Sequence, residues 1–180
     1  MTLEQVNNLE FELRMWRMER KLYTTDQQYN LIANVLEELT ELARAKSNDE
    51  RIDAICDIAV FYLNSLDNKI TELTDCYELD KGLEKKLKRP RAIGFLAEEL
   101  LSLLLYTEIY TKPYRVLDLL EQCAKGLGYD FYKCMMETIQ EINSRTGHYD
   151  ESIGKFVKDT SDEAKAKWYK ADYNTCKLEN

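Results

Sequence analysis

A cluster of glutamates near position 40 has the residue types and spacing of a divalent-cation site. Glu37, Glu38 and Glu41 fall within an arc of roughly 100° on a helix, because each residue advances a helix by about 100°. Glu38 and Glu41 are flanked by leucines, so the same helix packs against a core and holds like charges together. A cation would relieve this repulsion, and several carboxylate oxygens are ligands that suit Mg²⁺ or Mn²⁺.

A second set of acids follows after a short link. Glu50, Asp53 and Asp57 have the spacing i, i+3, i+7, which places them on one narrow face of a helix. Asp57 lies inside the apolar run 54–61, so we expect it not to face open water, and the nearest basic residue, Arg51, points elsewhere around the helix. A buried carboxylate needs a cation or hydrogen bonds, because desolvating an unpaired charge costs several kcal/mol. The two acidic faces are therefore predicted to meet at a metal site.

Two other functions use similar residues. Acids opposite an apolar stripe are most often the solvated side of an amphipathic helix. The chain could then be a non-enzymatic helical interaction protein with an acidic surface. A di-iron carboxylate bundle needs Glu-x-x-His pairs on facing helices, and the single histidine, His148, lies outside any such pair. The expected burial of Asp57 favours the metal site over the acidic surface.

Helices must position these acids, because the chain has helical periodicity and only six Gly and two Pro in 180 residues. Helices are predicted over about 3–22, 25–46, 50–66, 92–110, 114–126 and 130–145, with a short one near Ser161. Residues 67–92 are more polar, and the basic run at 85–91 around Pro90 is predicted to be a solvated connection. No convincing strand is present, and Gly147 and Gly154 bracket a predicted loop. We therefore predict one all-α domain over 1–180.

The second of these helices carries the clearest boundary and core signals. Thr25 and Gln28 have the spacing of a capping box at its start. Its apolar stripe, predicted to face the core, consists of Ile32, Val35, Leu36, Leu39 and Leu42. The short link to the third helix favours an antiparallel pair that brings both acidic faces together.

Composition limits the partners and the compartment. The net charge of −8 argues against a nucleic-acid partner but allows a phosphate substrate if a metal ion lies between that substrate and the acids. No run of about 18 apolar residues predicts a membrane span, and the N-terminus is unlike a secretory signal. The five cysteines form no CxxC pair, which favours a reducing cytoplasm over a disulfide framework or a zinc site.

The sequence EELTE at 37–41, a short gap and an acid-bearing helix resemble the MazG-type, all-α nucleoside triphosphate pyrophosphohydrolases. In that family, an EExxE motif and an ExxD motif together hold Mg²⁺ against the triphosphate. If Asp57 ends the second motif, Ala54 occupies its glutamate position, and Asp53 replaces that glutamate from one residue earlier. The alternative register takes ERID at 50–53, with a shorter gap. We prefer the first register, because apolar residues follow Asp57 as in the family.

The resemblance implies an activity and a set of site residues. The metal ligands would be Glu37, Glu38, Glu41, Asp53 and Asp57, and among them Glu38, Glu41 and Asp57 would be catalytic. The implied reaction is hydrolysis of a (d)NTP to the (d)NMP and pyrophosphate by water activated by Mg²⁺, with Mn²⁺ as a substitute. A homodimer or homotetramer is also implied.

The segment 141–176 resembles the ending of phage-encoded MazG-like proteins, which would place the protein in the host cytoplasm. By position, the substrate phosphates would be contacted by Asn143, Arg145, Lys155 and Lys158. The two resemblances cover roughly 28–66 and 130–176, and the predicted helical segment 67–129 matches neither. Neither resemblance indicates which base or sugar is preferred.

Overall fold

In the computed structural model, residues 1–66, 92–105, 114–152 and 155–179 are described, and seven α-helices lie within those ranges. They are α1 (Leu3–Glu19), α2 (Thr24–Arg44), α3 (Asn48–Ser65), α4 (Ala92–Leu105), α5 (Tyr114–Leu127), α6 (Phe131–Ser144) and α7 (Asp162–Lys165). A 3₁₀ turn, Tyr173–Cys176, lies near the C-terminus. The all-α class is confirmed. The predicted solvated connection, the basic run at 85–91, lies outside the described residues.

Helix boundaries follow local signals, although one predicted signal was wrong. The capping box occurs at the start of α1, where Thr2 and Gln5 exchange hydrogen bonds between side chain and backbone. The box predicted at Thr25 and Gln28 does not cap α2, because α2 already begins at Thr24. The Gln28 amide instead donates to the carbonyl oxygen of Ser65 at 2.9 Å. This bond joins the start of α2 to the end of α3, so the two helices run antiparallel, as predicted.

Helix α3 lies at the centre of the molecule. Helices α1, α2, α5 and α6 all pack against it, and α4 packs against α2 and α5. Its core residues include Ile52, Ile55, Ile58, Tyr62 and Leu63, each with 2% or less of its surface exposed. A helix enclosed on most sides leaves few positions for charged groups, so the acids of α3 share the one face that is not filled by apolar contacts.

The apolar stripe of α2 is rotated from the predicted one. Val35, Leu39 and Leu42 are buried as expected, but Leu36 is 47% exposed, and Leu31 completes the buried stripe instead. Leu36 is turned about 100° from Val35 around the helix, which takes it off the packed face. On the other side, Glu38 is turned only about 60° from Val35, so it lies at the edge of the buried face.

A β-hairpin replaces the predicted loop around Gly147, so the expectation of no strand was wrong. Strand β1 (Gly147–Asp150) pairs antiparallel with β2 (Lys155–Lys158), with Gly147 opposite Lys158. A Cβ at Gly147 would lie 2.2 Å from the carbonyl oxygen of Val157, so the close approach of the strands requires glycine. The hairpin directly follows α6 and brings Lys158 back toward the end of that helix.

Two further observations concern the cysteine thiols and the length of the helices. Cys56, Cys123, Cys134 and Cys176 are buried and carry free thiols. None of the helices in the described ranges is both long and apolar enough to cross a membrane.

Candidate functional site

Glu38 lies at the centre of the acidic cluster. Its side chain is half-buried, and its Oε2 atom is enclosed and has no hydrogen-bond partner among the described residues. Burial, followed by the charges of Asp57, Glu41, Asp53 and Glu37, raises the pKa of Glu38 from its ordinary 4.5 to about 8. These charges act on one carboxyl group from two helices, so the acids of α2 and α3 lie within electrostatic reach of one another.

Asp57 faces this cluster from α3 and is partly buried, as its apolar neighbours predict. Desolvation is the main cause that raises the pKa of Asp57 from 3.8 to about 7, and the charge of Asp53 adds to it. Arg145 and Lys158 act in the opposite direction and favour the ionised carboxylate. The cations missing from the neighbouring turns of α3 therefore come from a distant part of the chain.

Glu50 and Asp53, at the N-terminal end of α3, have different surroundings. The Glu50 carboxylate accepts a hydrogen bond from the backbone N–H of Lys46, and the Glu50 backbone N–H donates to Ser47 Oγ at 3.1 Å. Glu50 thus fixes the link between α2 and α3. Asp53, in contrast, acts electrostatically on both Glu38 and Asp57. Of these two acids, Asp53 and not Glu50 is the one that acts on both Glu38 and Asp57.

Glu37 and Glu41 complete the set on α2, but both are exposed. In the part of the chain that the structure describes, no group of three or more His, Cys, Asp or Glu side chains is gathered closely enough to hold an ion as it stands. Glutamates on a helix surface can change rotamer at little cost. Sharing an ion with Glu38 would therefore require Glu41 or Glu37 to turn toward it.

Arg145 is held beside the acids by several groups. It caps the C-terminus of α6, and its Nη2 donates to Glu141 Oε1 at 2.6 Å. Its guanidinium carbon lies 5.9 Å from the centre of the Trp168 ring. Its buried Nε–H has no acceptor within the described ranges.

Glu141 holds Arg145 in place and was missed in the sequence. Burial alone would raise its pKa, but hydrogen bonds from the backbone of Ala171 and from Arg145 lower it below its usual value. Glu141 therefore stays ionised as the partner of Arg145. The signal that could have revealed it is the i, i+4 spacing of Glu141 and Arg145 at the end of a helix.

The four predicted phosphate-binding residues have different positions. Lys158 is the last residue of β2, and its side chain is exposed. Partial desolvation of its ammonium group and the charge of Arg145 lower the pKa of Lys158, whereas the charge of Asp57 raises it. Lys158 and Arg145 therefore both lie close to Asp57. Asn143 is exposed, and its carbonyl oxygen accepts a hydrogen bond from Arg20. Lys155 begins β2, but its side chain lies outside the described part.

The surroundings of the site extend to the C-terminal part of the chain. A cleft of about 190 Å³ lies beside Asp53, between the N-terminal half of α3 and residues 170–174. Comparison of the chain with protein-family models, with curated proteins and with solved structures finds no significant match. Together, fold and site define an all-α protein in which acids from α2 and α3 meet two cations from the C-terminal segment.

Proposed function

We propose that the protein is a Mg²⁺-dependent nucleoside triphosphate pyrophosphohydrolase that converts a (d)NTP to the (d)NMP and pyrophosphate. One observation carries the proposal: the enclosed, unpartnered Oε2 of Glu38 belongs to a cluster that includes Asp53 and Asp57, and Arg145 and Lys158 act on the same Asp57. Acids beside cations are the charges that a metal-bound triphosphate requires.

The residues present fit a hard divalent cation. Glu38, Asp53 and Asp57 would supply oxygen ligands from two packed helices, and Glu37 and Glu41 would add to them by turning inward from the surface of α2. An enclosed carboxylate oxygen with no donor is unfavourable without a cation or a bound proton. When bound, Mg²⁺ would neutralise the triphosphate and lower the pKa of a water molecule, with Mn²⁺ as a substitute.

The cations of the C-terminal part would bind and orient the phosphate chain. The guanidinium of Arg145, fixed by Glu141 and Trp168, suits a bidentate contact with one phosphate group, and Lys158 provides a point charge. Water attacks the α-phosphorus, the bond between that phosphorus and the bridging oxygen breaks, and pyrophosphate leaves. Catalysis of this kind rests on positioning and on electrostatic stabilisation. Asn143 and Lys155 remain proposed phosphate contacts on the resemblance alone.

A non-enzymatic helical interaction protein is the second candidate. The exposure of Glu37 and Glu41 supports it, because both carboxylates are available to a partner. The enclosed oxygen of Glu38 does not support it, because a partner cannot reach that atom. A direct measurement of Mg²⁺ binding separates the two candidates, since the interaction protein has no need of the ion.

The proposal includes a homodimer or homotetramer in the cytoplasm, as the resemblance implies. In the apolar helix α4, Leu96, Leu100 and Leu104 are buried within the chain itself and are not free for such a contact. Leu105, the last residue of α4, is 64% exposed. Sedimentation of the purified chain would give the oligomeric state.

The test is to measure pyrophosphate release from each dNTP and NTP with Mg²⁺ and with a chelator. Glu38→Gln and Asp57→Asn should each lower turnover by about 100-fold or more, because each removes charge from the reacting centre. Glu4→Gln removes the same charge from an exposed position in the first turn of α1 and should retain full activity. The helical circular-dichroism signal should be unchanged in all three variants. Full activity in Glu38→Gln and Asp57→Asn would refute the proposal.

A further inference from the structure

The segment 168–178, here called the C-terminal strap, runs along α6 in a fixed register. Three of its backbone N–H groups donate to side chains of α6. Tyr169 donates to Ser144 Oγ at 2.8 Å, and Ala171 donates to Glu141 Oε2 at 2.8 Å. Asp172 donates to Glu137 Oε2 at 2.9 Å. The acceptors are spaced three and four residues apart, so they lie on one face of α6. The strap therefore runs antiparallel to the helix and cannot slide along it without breaking all three bonds.

The far end of the strap is held as well. The backbone N–H of Asp130 donates to the carbonyl oxygen of Cys176 at 2.8 Å. The backbone N–H of Leu178 donates to the carbonyl oxygen of Gly128 at 2.9 Å. These bonds tie the strap to the connection between α5 and α6. The 3₁₀ turn between the two anchored ends is thus fixed in position relative to α3 and α6.

Tyr173, at the start of this 3₁₀ turn, extends from the strap to the acidic cluster. The residue is only 5% exposed, and its hydroxyl donates to Asp53 Oδ1 at 2.6 Å. The same hydroxyl lies 3.0 Å from Thr138 Oγ1 on α6. The phenol is therefore held between α6 and α3, with its one proton directed at a carboxylate of the proposed metal site.

We propose that Tyr173 is a positioning residue, which orients Asp53 for cation binding by holding one of its two carboxylate oxygens. The inference rests on the proposed function, because Asp53 acts there as a ligand. Hydrogen bonds from outside the ligand set fix the orientation of ligating carboxylates and strengthen metal binding. The charge of Asp53 acts on both Glu38 and Asp57, so the orientation of its carboxylate affects the whole acidic cluster.

The strap contains its own matched control. The hydroxyl of Tyr169 donates to Glu137 Oε2 at 2.5 Å, so it forms the same type of bond with a carboxylate of α6 that is not one of the proposed ligands. Tyr169→Phe and Tyr173→Phe each remove one hydroxyl and one bond to a carboxylate from the same segment. A purely structural role would make the two substitutions equivalent in every measurement except their effect on stability.

The experiment measures Mn²⁺ binding to the full chain by calorimetry without nucleotide, and thermal unfolding in parallel. Tyr173→Phe should weaken Mn²⁺ binding by about 10-fold or more, which is the usual effect of removing an outer hydrogen bond from a metal ligand. Tyr169→Phe should leave the affinity unchanged. In an Asp53→Asn background, Tyr173→Phe should cause no further loss, because its effect passes through that carboxylate.

The possible outcomes separate this inference from the proposed function. If the unmodified chain binds no divalent cation, both are wrong. If the unmodified chain binds Mn²⁺ and the Tyr173→Phe variant binds it equally well, only the role of Tyr173 is refuted. The same conclusion follows if Tyr173→Phe still weakens Mn²⁺ binding in the Asp53→Asn background. If Tyr173→Phe loses helical structure, Thr138→Val replaces it as the test. Thr138→Val removes the second contact of the phenol, and an unchanged Mn²⁺ affinity in that variant would also refute the role.

Discussion

Glu38 and Asp57 both have carboxyl groups that are easier to protonate in the folded chain than in water. The pKa of Glu38 is raised from 4.5 to about 8 and that of Asp57 from 3.8 to about 7, in each case first by burial. The folded chain then binds these two protons more tightly than the unfolded chain. The stability they contribute is fully present below about pH 4 and is lost as the pH rises through about 7 to 8.

We therefore expect the melting temperature of the metal-free protein to fall between about pH 5 and 8. Mg²⁺ should reverse the loss at pH 8, because a bound ion takes the place of the protons. Thermal unfolding in a chelator, repeated at each pH with Mg²⁺, measures both effects. Glu38→Gln cannot ionise, so its melting temperature should depend less on pH. An equal dependence in Glu38→Gln and the unmodified chain would show that Glu38 is not the responsible group.

At the scale of secondary-structure elements, the hairpin determines where one of the proposed phosphate-binding cations lies. A side chain at Gly147 would contact Val157 and the Phe156 ring, and Gly147 is paired with Lys158. Gly147→Ala should destabilise the fold by about 1–3 kcal/mol, the usual cost of overpacking, and should lower turnover by displacing Lys158. Urea denaturation and pyrophosphate release measure the two effects.

Gly94 provides the control for this substitution. A Cβ there meets nothing within 4 Å, and Gly94 is an exposed residue of α4. Gly94→Ala should therefore stabilise the protein by about 0.5–1 kcal/mol, because alanine loses less backbone entropy in a helix. If Gly147→Ala were as stable as Gly94→Ala, the hairpin could not be packed as the structure shows.

The elements also show what could be inferred from the sequence. Helical periodicity extends over many residues, so the six longer helices and the shared faces of their acids were predictable. Strands of four residues are too short for an alternating pattern, and β1 and β2 were missed for that reason. The bond between Tyr173 and Asp53 joins residues 120 positions apart. Such a contact depends on the path of the C-terminal strap, which no local sequence pattern predicts.

The distribution of charge over the whole molecule supports the proposed binding of a triphosphate through a metal ion. A net charge of −8 repels a triphosphate, so binding requires a cation between the substrate and the acids. Arg145 and Lys158 concentrate positive charge at one end of the acidic cluster. The repulsion between charges of α2 and α3 is balanced by apolar packing on the adjoining faces of the same helices. Core stability and site chemistry therefore share these two helices but use different faces.

This separation of faces can be tested with two leucines of α2. Leu39 is 7% exposed and packs in the core, whereas Leu36 is 47% exposed. Leu39→Ala should cost about 2–5 kcal/mol, and Leu36→Ala less than about 1 kcal/mol, by urea denaturation. Mg²⁺ should raise the free energy of unfolding of both variants by the same amount as in the unmodified chain, because neither substitution touches a carboxylate. A smaller gain in Leu39→Ala would mean that the packing of α2 against α3 also determines the geometry of the acids. The core and the site would then have to be treated as one cooperative unit.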